Sequence, residues 1–222
     1  MNEHPSFLVY RHLGLFLESR GLTPAAPEAL GAKRERFITE LNLIGYFRID
    51  SRDSAGRVTV VLVLALRGKY TEHGPQLRTL LASLDSESFA RQGRLAEVIV
   101  VAPGEVHRKK NIADIISEFR SGTAEGAARS RATAAAYNIY PYHIFSLEIP
   151  RVQSIPRHEI VPPADVAAFL ARDRLGLSDL RTVCESSPPV VWIGGRAGQV
   201  VLVTSPSETA GVAHEYCLVT KN

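Results

Sequence analysis

The sequence predicts a chain of two domains, an α/β domain over residues 1–150 and a smaller α+β domain over residues 155–222. Two patterns support this fold class. Near-continuous apolar runs at residues 58–66 and 95–101 enclose a stretch of helical periodicity, as expected of parallel strands joined by a helix. Near the C-terminus, two apolar runs enclose a polar turn that holds Pro and Gly, which indicates a β-hairpin.

The first domain should alternate helices and strands. Four segments have apolar residues at helical spacing: residues 7–20, 27–43, 75–84 and 112–119. Four others have the apolar runs of strands: residues 46–50, 58–66, 95–101 and 140–149. The strand at 58–66 is apolar at nearly every position and should be buried on both faces. Residues 121–136, mostly Ala, Gly, Ser, Thr and Arg, favour a loop, and two prolines favour a linker at 150–156.

Composition indicates an intracellular protein of ordinary core size. The chain has 222 residues, of which 45% are hydrophobic, enough for two small cores. No run of eighteen apolar residues occurs and the N-terminus is polar, so we expect neither a membrane helix nor a signal peptide. Cys184 and Cys217 are too few and too far apart for a metal cluster, and are expected to be small buried thiols.

The excess of positive charge lies in the first domain. Residues 1–150 contain 19 Lys and Arg against 16 Asp and Glu, whereas residues 151–222 contain 7 of each sign. Any nucleic-acid contact is therefore expected from the first domain. Arg108, Lys109 and Lys110 are adjacent cations suited to DNA phosphates, and a solvated basic turn is the alternative. Arg129 and Arg131 form a second, weaker candidate.

The second domain carries a specific pattern of residues. His158-Glu159-Ile160-Val161-Pro162 opens it, and Gly198-Gln199 precedes the first hairpin strand. The turn reads Pro206-Ser207-Glu208-Thr209-Ala210-Gly211, and Tyr216 lies in the second strand. This order resembles the C-terminal domain of the fifth subunit shared by eukaryotic RNA polymerases, a domain that forms a small subunit by itself in archaeal RNA polymerase. The preceding order of helices and strands resembles the eukaryotic subunit's N-terminal jaw domain, which has a restriction-endonuclease-like sheet with flanking helices.

The resemblance implies a non-catalytic subunit of a multisubunit DNA-directed RNA polymerase. The C-terminal assembly domain would anchor on the largest subunit, and the jaw domain would lie beside downstream duplex DNA and bind it weakly. No cofactor or metal is implied, and the location would be the nucleus, or a viral transcription site or virion. The residues expected at the subunit interface share the motif: His158, Pro162, Gly198, Gln199, Pro206, Ser207, Glu208, Thr209, Gly211 and Tyr216.

The hairpin also departs from the pattern it resembles. Four of its positions hold an uncharged residue where that family usually has Lys or Arg: Leu202, Ser205, Val212 and Cys217. Because a buried charged pair cannot lose one partner without leaving the other charge unpaired, the largest subunit should differ at the matching positions. This favours a diverged paralogue, or a viral or protist version, dedicated to one polymerase.

The sequence lacks residues that three kinds of enzymatic site require. A nuclease of this fold needs a first carboxylate, for which Asp50 or Asp53 would serve, and an acid shortly before Lys69, where Arg67 stands instead. Residues 194–198 lack the Lys-Ser or Lys-Thr of a phosphate loop, and His158-Glu159 lacks the second His of a zinc peptidase. We therefore predict no catalytic or metal residue. A stand-alone DNA-processing enzyme and an adaptor independent of polymerase remain the alternatives.

Overall fold

The structure, a computed structural model, describes residues 5–31, 33–65, 70–90, 95–104, 110–121, 135–207 and 209–221. The chain divides into two compact units, Met1–Ser146 and Leu147–Asn222. Segment 150–156, predicted as a linker, lies inside the second unit. Within the described ranges, no helix is both long and apolar enough to span a membrane.

The first unit contains four α-helices and five strands among its described residues. The helices are α1 (Pro5–Ser19), α2 (Arg34–Ile44), α3 (Tyr70–Ala90) and α4 (Lys110–Ser121). The strands are β1 (Thr23–Pro24), β2 (Tyr46–Arg52), β3 (Val58–Leu64), β4 (Leu95–Ala102) and β5 (Ala136–Pro141). Short 3-10 helices span Pro27–Gly31 and Tyr142–Phe145.

The strands form one mixed sheet in the order β1-β2-β3-β4-β5. β2 runs antiparallel to β1 and β3, whereas β3, β4 and β5 are mutually parallel. The parallel pair β3 and β4, joined through α3, confirms the predicted strand-helix-strand unit. Every residue of β3 after Val58 is buried, which confirms that this strand is covered on both faces.

Helices pack on the two faces of this sheet. Leucines of α3 and isoleucines of α4 share one apolar cluster with Leu62 of β3 and Val98 of β4. α1 contacts β3 and the 3-10 helix Tyr142–Phe145, where the rings of Phe16 and Phe145 meet edge to face at 4.9 Å. The first unit is therefore a three-layer α/β structure.

A charged network connects Arg20, the residue that follows α1, to the sheet. The guanidinium of Arg20 donates to the Glu97 carboxylate at 2.9 Å, and the Asn138 amide donates to the other Glu97 oxygen at 2.8 Å. Both side chains of the ion pair are nearly removed from solvent, with 4% of Arg20 and 11% of Glu97 exposed. Arg20 also lies 4.7 Å from the ring centre of Phe16. Hydrogen bonds of this kind compensate the burial of both charges.

Three elements of the first unit have other boundaries than the sequence predicted. The last strand is Ala136–Pro141 and not residues 140–149, because Tyr137 packs on Phe119 at 5.5 Å and Pro141 has no N–H to continue the ladder. The second helix splits into a 3-10 helix and α2. α3 is longer than residues 75–84 and contains Pro75. Of the loop predicted at 121–136, residues 122–134 lie outside the described residues.

The second unit is a small α+β structure around a four-stranded sheet. Its strands are β6 (Arg157–Ile160), β7 (Arg181–Cys184), β8 (Val200–Ser207) and β9 (Gly211–Thr220). Its helices are α5 (Pro163–Asp173) and α6 (Pro188–Ile193), with 3-10 turns at Ile149–Arg151 and Leu177–Asp179. The sheet order is β6-β8-β9-β7, and β7 runs parallel to β9. The predicted hairpin is confirmed as β8 and β9, which are antiparallel.

The core of the second unit lies on the face of the sheet where α6 packs. Val190 of α6 contacts Val201, Cys217 and Val219 of the hairpin. Gly194 ends α6 with φ 74°, a conformation that side chains disfavour, and Gly195 approaches Val190 so closely that an added Cβ would lie 2.6 Å from it. Glycine is needed at both positions for the chain to turn directly into β8.

Candidate subunit interface

The hairpin turn is shaped by the residues of the predicted motif. Pro206 pairs with Val212 and Ser207 with Gly211, so the strands extend further into the motif than the sequence indicated. The Ser207 hydroxyl accepts a hydrogen bond from the Ala210 N–H at 3.2 Å, and Gly211 has φ 72°. Thr209 is exposed at the tip, and Glu208 lies outside the described residues. The motif therefore fixes the turn and exposes its tip.

Gly198 and Gln199 shape the entry to the hairpin. Gly198 has φ 90° and donates its N–H to the Val219 carbonyl at 2.8 Å. The Gln199 side-chain oxygen accepts the Arg196 N–H at 2.7 Å. Both residues therefore form hydrogen bonds that hold the backbone of the loop before β8.

His158 and Pro162 belong to the edge of the sheet and the start of α5. The His158 Nδ1 lies 2.8 Å from the Pro156 carbonyl oxygen, and His158 pairs with Val203 in the ladder. The Pro162 carbonyl accepts the N–H groups of Asp165 and Val166, both at 3.0 Å. Both residues therefore lie at or next to the strand that pairs with β8, and their contacts are with nearby backbone groups.

Tyr216 holds α5 on the other face of the sheet. Its ring stacks on Phe169 with centres 4.2 Å apart and planes 14° apart. Phe169 is 6% exposed and is the single buried residue of α5. Sequence reasoning did not single out Phe169, although it lies between the apolar Val166 and Leu170 at helical spacing. This aromatic contact is therefore where α5 buries a whole side chain against the sheet.

The four departures from the expected basic pattern occupy different environments. Val212 is exposed, whereas Leu202 is half-buried and directly opposite Tyr216. Ser205 is half-buried, and Cys217 is buried among Val190, Val201 and Val219.

Burial raises the pKa of the Cys217 thiol, and the neighbouring Glu215 carboxylate raises it further. Position 217 is thus a core position in this chain.

The two thiols should react at different rates. Cys184 is half-buried, not fully buried as predicted, whereas Cys217 is buried and its raised pKa lowers its thiolate fraction. We expect maleimide to label Cys184 first and Cys217 only after unfolding, as measured by intact-mass spectrometry over time. Cys184→Ser provides the control and should leave the native chain almost unlabelled. Fast labelling of that variant would contradict the burial of Cys217.

The predicted DNA-contact residues lie mostly beyond the described ranges. Lys110 is exposed at the first position of α4. Arg108, Lys109, Arg129 and Arg131 lie outside the described residues. Their contribution to DNA binding stays a prediction.

The carboxylates considered for a nuclease are engaged by arginines. Both oxygens of Asp50 accept from Arg48, at 2.6 and 2.9 Å, and Arg48 also pairs with Glu87 at 2.9 Å. Asp53 accepts the Arg57 N–H, which lowers the pKa of Asp53, and also the Arg57 guanidinium at 2.7 Å. No group of three potential ligands for a metal occurs among the described residues. Arg67 and Lys69 lie outside the described residues.

The ion pair between Asp50 and Arg48 predicts that this site does not bind Mg²⁺. Because Arg48 occupies both carboxylate oxygens, Mg²⁺ must displace a guanidinium to bind there. We expect millimolar Mg²⁺ to leave the melting temperature unchanged and supercoiled DNA uncut, as checked by calorimetry and gel electrophoresis. Mg²⁺-dependent cutting that disappears in Asp50→Asn would revive the nuclease hypothesis.

Comparison with known proteins identifies relatives of both units. The family model described as RNA polymerase Rpb5, C-terminal domain, matches residues 147–219. The DNA-directed RNA polymerase RPB5 homolog of African swine fever virus (isolate Pig/Kenya/KEN-50/1950) is 36% identical over 188 residues, which cover 85% of each chain. The DNA-directed RNA polymerase subunit Rpo5 of Methanocaldococcus jannaschii is 40% identical over 67 residues, 30% of this chain and 86% of that one.

A eukaryotic relative shows a similarity of intermediate length. The DNA-directed RNA polymerases I, II, and III subunit RPABC1 of Caenorhabditis elegans is 29% identical over 134 residues. These residues cover 59% of this chain and 64% of that protein. Similarity thus extends over both units in the viral relative.

Proposed function

Since the chain belongs to the RPB5 family of DNA-directed RNA polymerase subunits, we propose that its second unit anchors it on the largest polymerase subunit and that its first unit forms part of the lower jaw. The resemblance predicted from the sequence is confirmed, and the chain is a non-catalytic subunit of a DNA-directed RNA polymerase. Other subunits of that enzyme are its partners.

The anchoring role is supported by the extent of the family match. The matched residues 147–219 span nearly all of the second unit, Leu147–Asn222. The archaeal relative, which this chain matches over 86% of its length, aligns with only 67 residues. Because a domain of similar length is nearly a whole polymerase subunit in that relative, the second unit, which carries the family match, is the candidate for the contact with other subunits.

The placement of the first unit beside DNA is supported by its charge. Its sequence carries the excess of Lys and Arg, and Lys110 is exposed at the start of α4. A few cations attract phosphates weakly and in a salt-dependent way. This attraction becomes more effective once the assembled enzyme holds the duplex nearby. Binding by the isolated chain should therefore be weak.

The relatives also bear on where the chain acts. The viral relative is 36% identical over 85% of this chain, and the nematode relative 29% over 59%. Together with the uncharged residues at Leu202, Ser205, Val212 and Cys217, this supports a virus-encoded version that serves one polymerase. Its location would be a viral transcription site or virion, or the nucleus for a cellular version.

Affinity purification tests the proposal. The tagged chain, recovered from its source, should bring the two largest polymerase subunits in equal amount, together with run-off transcription activity. Recovery without any polymerase subunit would favour an adaptor and contradict the anchoring role. Duplex cleavage by the purified chain would instead favour a stand-alone enzyme.

A second experiment tests DNA contact by the basic segment. Replacement of Arg108, Lys109 and Lys110 by Ala should weaken promoter complexes of the assembled enzyme about tenfold at moderate salt and lower the salt dependence of binding. The matched control replaces three exposed cations of α2 and its cap, Lys33, Arg34 and Arg36, in the same unit. Equal losses in both variants would show a general effect of charge and not a specific contact.

A further inference from the structure

Arg174 holds a backbone conformation that, elsewhere in the described part of the chain, only glycines adopt. It follows α5 with φ 55° and ψ 40°, in the left-handed region. Every other described residue with φ in that region is a glycine, and two of these, Gly45 and Gly194, end helices in the same way. A side chain in this conformation costs stability that glycine avoids. An arginine here therefore calls for a compensating role.

Among the described residues, the side chain of Arg174 has no such role. It is exposed, and within the described residues it takes part in no ion pair. The neighbouring Arg172 differs, since its guanidinium binds Asp173 at 2.7 Å. The contacts that stabilise the end of α5 come from the backbone, where the Leu175 N–H donates to the Leu170 carbonyl at 3.0 Å. Glycine would serve that backbone equally well.

The loop that follows is braced and displays two leucines. The Asp179 carboxylate accepts the Gly176 N–H at 2.7 Å, and the Asp179 N–H donates back to the Gly176 carbonyl at 3.1 Å. Leu175 is 42% and Leu177 44% exposed. A fixed loop that leaves these leucines partly exposed lowers the entropy cost of binding a partner through them.

We propose that Arg174, Leu175 and Leu177 form a preorganised docking surface for the largest subunit of the polymerase, with an apolar patch beside a carboxylate as its complement. The inference rests on the proposed function and names the surface through which the second unit binds. Arginine is enriched among the residues that dominate the energy of protein interfaces, and the two leucines would supply apolar contact area beside it. The predicted hairpin residues instead make mainly local contacts.

The chemistry of the surface favours a protein over a nucleic acid. A single guanidinium suits one carboxylate or phosphate, but the two exposed leucines have no complement on a sugar-phosphate backbone. Apolar side chains next to a lone arginine fit a partly apolar subunit surface. Asp173, already paired with Arg172, adds no competing carboxylate for Arg174.

Two variants of the full chain test the proposal. Arg174→Gly should unfold at an equal or higher urea concentration than the natural chain, with Trp192 fluorescence as the probe. Arg174→Gly combined with Leu177→Ser should recover at least tenfold less of the largest subunit when the tagged chain is co-expressed with it. Leu147→Ser is the matched control, since Leu147 is 53% exposed in the same unit, and should recover as much as the natural chain.

The results that would contradict the docking surface, the strain at Arg174 and the anchoring role differ from one another. Recovery of the largest subunit by the double variant at the natural level overturns the docking surface and leaves the anchoring role intact. A lower unfolding midpoint for Arg174→Gly overturns the argument that the position is strained. Loss of duplex DNA binding without loss of the subunit would assign the surface to nucleic acid. Failure of the natural chain to recover any polymerase subunit overturns both proposals.

Discussion

Replacement of Arg20 by Ala is expected to lower the free energy of unfolding by about 3–5 kcal/mol, because it leaves the buried Glu97 carboxylate without its cation. Asn138 still donates to Glu97, but a neutral donor does not replace the lost cation of a buried charge. The guanidinium stacked at 4.7 Å over Phe16 is lost as well. Urea denaturation followed by circular dichroism measures the change.

The exposed ion pair of α2 gives the matched control for this prediction. Arg36 binds Glu40 at the same 2.9 Å distance, but 75% of the Arg36 side chain is exposed. Arg36→Ala should therefore cost less than about 0.5 kcal/mol. The double variant Arg20→Met with Glu97→Gln should recover much of the loss, since it removes both charges. Similar costs for Arg20→Ala and Arg36→Ala would contradict the burial of the Arg20–Glu97 pair.

Replacement of Phe169 by Ala should destabilise the second unit by about 3–4 kcal/mol. The substitution removes a buried ring and its stacking partner at 4.2 Å, and α5 has no other buried residue to hold it on the sheet. Trp192, the single tryptophan of the chain, is buried in this unit and reports its unfolding by fluorescence. Subunit recovery should fall together with stability, since α5 carries the loop that begins at Arg174.

Phe169→Leu separates stacking from burial. A leucine keeps most of the apolar contact with Tyr216 and should cost about 1 kcal/mol, the contribution of an aromatic pair beyond its area. Phe7→Leu is a comparison in the first unit, where Phe7 is only partly buried against Tyr10. A Phe169→Ala variant with natural stability would show that α5 is held by contacts other than this ring.

The regular elements were predictable where one pattern dominates. β3 and β4 were found because nearly all of their residues are apolar or β-branched, and the hairpin because a Pro- and Gly-containing turn separates two apolar runs. The last strand of the first unit was displaced because the aromatic residues at 140–149 resemble a strand in composition. Pro141 ends the ladder there, and the residues that follow form 3-10 helices.

The candidate site was less predictable than the fold. The motif from His158 to Tyr216 identified the family, but its residues proved to shape turns and caps, as the Gln199 and Ser207 hydrogen bonds illustrate. Side chains that point to solvent, such as Leu177, leave no periodic signal. Arg174 can be recognised in the sequence, because a glycine usually follows the last residue of a helix. Here an arginine has that position, and the nearest glycine, Gly176, lies two residues further along the chain.

The strand order of the second unit bears on its synthesis by the ribosome. β9, residues Gly211–Thr220, lies between β8 and β7 in the sheet. Until this strand has emerged, β6 and β8 can pair with each other but β7 has no partner. In the first unit β5, the last strand to be made, lies at the sheet edge, and β1 to β4 can pair before it appears. The first unit can therefore begin to fold during translation, whereas the second must wait until β9 has left the ribosome. A nonsense codon that removes β9 would abolish the assembly unit and spare the other.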